Sequence, residues 1–87
     1  MKNELDSKFL LAVFEHIQNH GEVTEEGKMY QGVTAYADPD GYTIYLQGSG
    51  VLLRSGFHNT YHLDYEHDNL KDSFIKKLEF IYKEANE

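Results

Sequence analysis

The residues best suited to chemistry crowd into one short stretch, Phe57-His58-Asn59-Thr60-Tyr61-His62-Leu63-Asp64-Tyr65-Glu66-His67. Three of the five histidines fall there, interleaved with Asp64 and Glu66. Neutral imidazoles and carboxylates suit zinc and similar divalent ions, and a catalytic metal site keeps three protein ligands and an open position. His62 and Asp64 are two apart, so on a strand they share a face. A divalent-metal site or metal-dependent hydrolase built on His58, His62, Asp64 and His67 is therefore one reading. The spacing speaks against it: neither His-Glu-x-x-His nor His-x-x-Glu-His occurs. His58 also falls at a predicted turn, and His67 lies beyond the predicted strand. Histidines near strand ends are more often solvated or hydrogen-bonded to neighbours, so the leading reading expects no metal and no other cofactor.

Other reactive groups have simpler explanations. There is no cysteine, which excludes thiol nucleophiles, disulfides and thiolate zinc sites. Ser49 and Ser55 lie in no nucleophile-elbow context, and Ser7 and Ser73 fall on predicted helices. A His62–Asp64 pair could orient an imidazole as a general base, yet neighbours two apart on a strand often only satisfy one another. Gly48-Ser49-Gly50 has no following helix and Lys, so it is not a phosphate loop. Asp38-Pro39-Asp40-Gly41 has its Gly too early for a calcium loop, and Ser49 stands where the closing Glu would be. Both are turns, and a non-enzymatic protein is expected.

Charge narrows the partners. Acids outnumber bases 15 to 8, a formal net charge of −7. Residues 1–27 hold two Lys against six acids, residues 28–67 Lys28 and Arg54 against four, and residues 68–87 four Lys against five. No segment is basic, so a phosphate backbone finds no cluster of cations to bind, and no nucleic acid is expected. The apolar run Phe9 to Phe14 ends at Glu15, too short for a signal h-region or a membrane span. No membrane partner is expected, and a cytoplasmic location is.

The elements that position these residues are legible from periodicity. With 87 residues, 40% of them hydrophobic, the chain is expected to form a single domain over 1–87 with one modest core. Phe9, Leu10, Val13, Phe14 and Ile17 make the apolar stripe of a helix from Asp6 or Ser7 to His20. Asp6 is its predicted N-cap, Leu5 and Leu10 its hydrophobic staple, and Gly21 its left-handed C′ residue. Residues 22–27 read as a polar connector, followed by a short, ambiguous strand at Met29–Gln31. Val33 to Ala37 and Tyr42 to Gln47 alternate as strands about a type I turn at Asp38-Pro39-Asp40-Gly41. Gly48-Ser49-Gly50 is a hairpin loop leading to a strand over Val51–Phe57, with Val51, Leu53 and Phe57 inward. His58-Asn59 turns the chain into a last strand, Thr60 to Tyr65. A second helix, capped by Asp68 or Asn69, carries the stripe Leu70, Phe74, Leu78, Ile81 and Ala85.

Two stripes and one apolar sheet face satisfy each other as a two-layer α+β domain. The prediction is an antiparallel sheet of three to four strands, with an N-terminal and a C-terminal helix packed on one face. The other face stays open. Thr34, Tyr36, Thr43, Tyr45, Arg54 and His62 should share it, with Tyr30 joining at the edge. Tyr and Arg are enriched where proteins meet, because they bury large area while keeping a polar tip. Cross-strand Tyr–Thr and Tyr–Arg neighbours also stabilise a solvated sheet without any partner. The reading that follows is a small acidic interaction or regulatory domain that uses Tyr36, Tyr45, Arg54 and His62 for a protein partner or a homodimer. A further alternative makes its acidity a decoy for another protein's basic patch.

The order helix, three strands, helix resembles the double-stranded-RNA-binding domain in topology. That family places a lysine cluster at the start of its last helix, where this chain has Asp68-Asn69-Leu70-Lys71-Asp72, so the likeness carries no RNA-binding function. Through Asp40-Gly41-Tyr42-Thr43, Phe57-His58-Asn59 and Tyr61-His62, the chain resembles, over nearly its full length, a small family of unknown function found mainly in gammaproteobacteria. That resemblance implies a compact cytoplasmic bacterial protein and supplies no activity, cofactor or catalytic residue.

Overall fold

A computed structural model describes residues 7–56 and 61–86, in the order helix, six strands, helix. Helix α1 spans Ser7–His20 and α2 Asp68–Ala85. Between them run β1 (Glu22–Val23), β2 (Lys28–Tyr30), β3 (Val33–Ala37), β4 (Ile44–Gly48), β5 (Val51–Ser55) and β6 (Tyr61–Tyr65). They form one antiparallel meander of six strands in sequence order, more than the three to four predicted.

The two extra strands come from a stretch whose composition hides them. β1 and β2 flank a tight loop that Thr24 closes. Its amide and hydroxyl both donate to the Gly27 carbonyl, at 2.6 and 2.9 Å, and its Oγ1 accepts from the Gly27 amide at 3.1 Å. The short strand expected at Met29–Gln31 sits one residue earlier. Gln31 instead joins Gly32 in a two-residue turn with φ of 54° and 80°, the left-handed pair of a type I′ hairpin. The Asp38–Gly41 turn forms as expected, closed by the Gly41 amide donating to the Asp38 carbonyl at 2.9 Å. Tyr42 and Thr43 belong to that loop, because the Asp38 amide donates to the Thr43 carbonyl at 3.0 Å. β5 ends at Ser55. Phe57, His58, Asn59 and Thr60, and with them the predicted inward Phe57 and the His58-Asn59 turn, lie outside the described residues, as do Leu5 and the predicted N-cap Asp6.

One sheet face, α1 and α2 share a single core. Leu10, Val13 and Ile17 of α1 and Phe74, Leu78 and Ile81 of α2 are buried against Val33, Ala35, Leu46, Val51 and Leu53. Both helices therefore lie on one side of the sheet. The directly paired row Ala35–Leu46–Leu53–Leu63 is its centre line. Ala85, assigned to the α2 stripe, is exposed.

Two local details differ from prediction, at Gly21 and at the start of α2, and a third, at Gly48, goes beyond it. Gly21 is not left-handed; it is a point of close approach, where a Cβ would stand 2.7 Å from the Ile17 carbonyl oxygen and 2.8 Å from that of Met29. At Gly48 a Cβ would lie 2.6 Å from Phe74 Cδ1, so the missing side chain is what seats the Phe74 ring on the sheet. α2 is preceded by His67, which makes no side-chain capping bond, and Asp68 is its first residue rather than its cap. An acid in the first turn still meets the positive end of the helix dipole favourably.

Candidate interaction face

Strict alternation sends every second strand residue away from the helices. On β3 to β6 these residues form two rows. Thr34, Gln47, Leu52 and Asp64 pair directly across one, and Tyr36, Tyr45, Arg54 and His62 across the other. The four residues singled out from the sequence are thus brought together as consecutive cross-strand neighbours on four adjacent strands. Tyr36 and Tyr45 are half-buried, while Arg54 and His62 are exposed.

The row has internal order. The Tyr36 and Tyr45 rings are stacked, 4.8 Å between centroids and 9° from parallel. A hydrogen bond to the Asp38 carboxylate is the main cause that raises the Tyr45 phenol above its ordinary pKa of 10.0; partial desolvation and the Asp38 charge add to it, and Arg54 opposes it. Asp38 starts the β3–β4 turn, so the turn and the stack hold each other. Arg54, the chain's one arginine, makes no salt bridge among the described residues. It is paired with Tyr45 on one side and His62 on the other, and its fork of donors suits a carboxylate.

Two residues predicted for this face are elsewhere. Thr43 lies in the β3–β4 loop. Tyr30 turns inward, packs against the core and donates its hydroxyl to Glu84 Oε1 at 2.7 Å. Met29 takes its place outward and is 40% exposed. Because β2 begins at Lys28, the alternation is shifted by one from the assumed pattern.

Tyr30 belongs to a polar cluster that sequence reading missed. The His16 and His20 rings are 4.4 Å apart, Tyr30 meets His16 edge-on at 5.3 Å, and His16 Nε2 lies 3.6 Å from Glu84 Oε1. Burial and the Glu84 hydrogen bond push the Tyr30 phenol up, the hydrogen bond most. The legible half was His16–His20 at i, i+4 on one helix face. The illegible half was Glu84, 54 residues from Tyr30.

Of the predicted metal residues, His62 and Asp64 share one face of β6 as expected. They lie on its outer side in different rows, His67 precedes α2, and His58 is outside the described residues. Among the described residues no group of three or more His, Asp or Glu is arranged to hold a metal ion. A shallow depression of ≈ 330 Å³ beside the β4–β5 hairpin is lined by Leu52, Asp64, Tyr65 and Glu66 among others, with no histidine among the described residues of its wall. No helix among the described residues is long and apolar enough to cross a membrane.

No curated protein and no solved structure matches the chain. One family model does, over residues 5–87, and its description is a protein of unknown function, DUF3081. The chain therefore belongs to the DUF3081 family.

Proposed function

We propose that this is a small, acidic, non-enzymatic interaction domain whose outer sheet face docks a protein. The observation that carries this reading is the Tyr36–Tyr45–Arg54–His62 row on the face opposite the helices, where the tyrosines are half-buried and Arg54 and His62 exposed. A stacked tyrosine pair offers a flat, rigid, amphipathic platform whose side chains lose little entropy on binding. Arg54 beside it supplies the one fork of donors on a chain otherwise dominated by acids. The neighbouring row contributes Leu52 as an apolar centre, flanked by Gln47 and Asp64. The combination suits an extended segment bearing a carboxylate better than a small substrate.

The experiment is comparative capture. Wild-type chain and folded Tyr45→Ala and Arg54→Ala variants are immobilised and exposed to the same lysate. A protein held by the wild type and lost by both variants is the expected result. Identical captured sets would remove the reading.

A further inference from the structure

We infer that β6 is a self-complementary edge through which two copies of this chain join their sheets. The sheet has two edges, β1 and β6. β1 is two residues long, and one of them is Glu22, a charged and minimal edge of the kind that resists pairing. β6 runs for five residues, Tyr61-His62-Leu63-Asp64-Tyr65, with neither Lys nor Pro to block a new strand. Its outward N–H and C=O groups face away from β5 and pair with no strand of the described sheet.

The residue order selects both the partner and the register. Consider a second β6 laid antiparallel about a two-fold axis at Leu63. Leu63 then faces Leu63 of the other copy, Tyr61 faces Tyr65, and His62 faces Asp64, with the last two pairs each formed twice. Tyr61, Leu63 and Tyr65 stand on the helix side of the sheet, and His62 and Asp64 on the outer side, so every pair also matches in face. Sliding by one symmetric step sets two Asp64 carboxylates or two His62 rings directly opposite and leaves a tyrosine without its partner. Tyr61 and Tyr65 are 42% and 41% exposed, large rings at the rim of the core that a neighbouring strand would cover. This edge contact leaves the outer face uncovered. It lengthens that face, since the row ending in His62 runs on into Asp64 and Leu52 of the second copy. It does not depend on the docking reading above.

The test combines mass and register. Sedimentation equilibrium of the wild type should yield a particle of twice the 10.1 kDa chain mass, and a strict monomer up to about 1 mM would overturn the proposal. His62→Asp should weaken the dimer about tenfold by facing like charges twice, and His62→Asp with Asp64→His should restore it. Both positions are exposed, so folding is not at stake. With no native cysteine, Leu63→Cys should cross-link on mild oxidation, because opposed Cα atoms about 4.5–5.5 Å apart fit a disulfide. Tyr61→Cys should not, its two copies being about 13 Å apart along the strands. Cross-linking of Tyr45→Cys instead of Leu63→Cys would place the dimer on the outer face and overturn edge pairing, while leaving the docking reading intact.

Discussion

Tyr36 and Tyr45 sit directly opposite each other on β3 and β4 with their rings stacked at 4.8 Å and 9°. The pair lies on the sheet surface away from the core, so its stacking is not imposed by helix packing. Its stability contribution is measurable as a coupling. In a double-mutant cycle with Tyr36→Ala and Tyr45→Ala, followed by urea unfolding, the interaction energy should be about 0.5–1.5 kcal/mol. Coupling near zero would mean that the rings are independent in solution. Asp38→Ala should lower the Tyr45 pKa toward its ordinary value, read by ultraviolet titration, because the Asp38 hydrogen bond is the main cause of its elevation.

Gly48 gives a sharper packing prediction. Gly48→Ala drives a methyl into the Phe74 ring, and overpacking of that kind costs about 1–3 kcal/mol. Combining it with Phe74→Leu, which thins the ring to a branched chain, should give a smaller loss than the two single costs added. Strict additivity in chemical denaturation would show that the two side chains do not meet.

At the centre of the sheet, Leu46 and Leu53 are directly paired and both are 0% exposed. Truncating either to Ala should cost about 2–5 kcal/mol. In a domain of this size that is a large share of total stability, so both variants should melt far below the wild type. Arg54→Ala, on the opposite face of the same strand, should stay within about 0.5 kcal/mol of it.

Alkaline pH tests the inner cluster. The folded-state pKa of Tyr30 is raised, mainly because its hydroxyl donates to Glu84. The neutral phenol is thus the form the fold prefers. Its contribution is fully present below the unfolded pKa of about 10 and is lost as pH rises through the higher folded value. Tyr30→Phe should flatten the decline in stability above pH ~10, measured by thermal melts across that range. A decline unchanged in Tyr30→Phe would assign the effect to other tyrosines.

Much of this architecture was legible because burial writes itself into spacing. The stripes Leu10–Val13–Ile17 and Phe74–Leu78–Ile81 recur at helical period, and Val33–Ala35, Leu46 and Leu53 at strand period, since each must face one core. The row Tyr36–Tyr45–Arg54–His62 followed from the same alternation once the turns were placed. β1 was missed, and β2 placed one residue late, for the converse reason. Glu22, Val23, Lys28 and Met29 lie at the margin of the sheet, largely unburied, and their pairing is fixed by Thr24 and Gly27 rather than by hydrophobic pattern. That error displaced Tyr30 to the wrong face. Gly21 shows a further limit: a glycine needed for close approach and one needed for a left-handed turn are the same letter.

The outer face itself is tested most directly by chemical-shift mapping. Isotope-labelled chain, with a captured partner added, is followed by amide nitrogen–proton spectra. Shifts concentrated at Tyr36, Tyr45, Leu52, Arg54 and His62, with α1 and α2 unmoved, are the predicted result. Shifts confined to the outer surfaces of α1 and α2, with that row unperturbed, would contradict it.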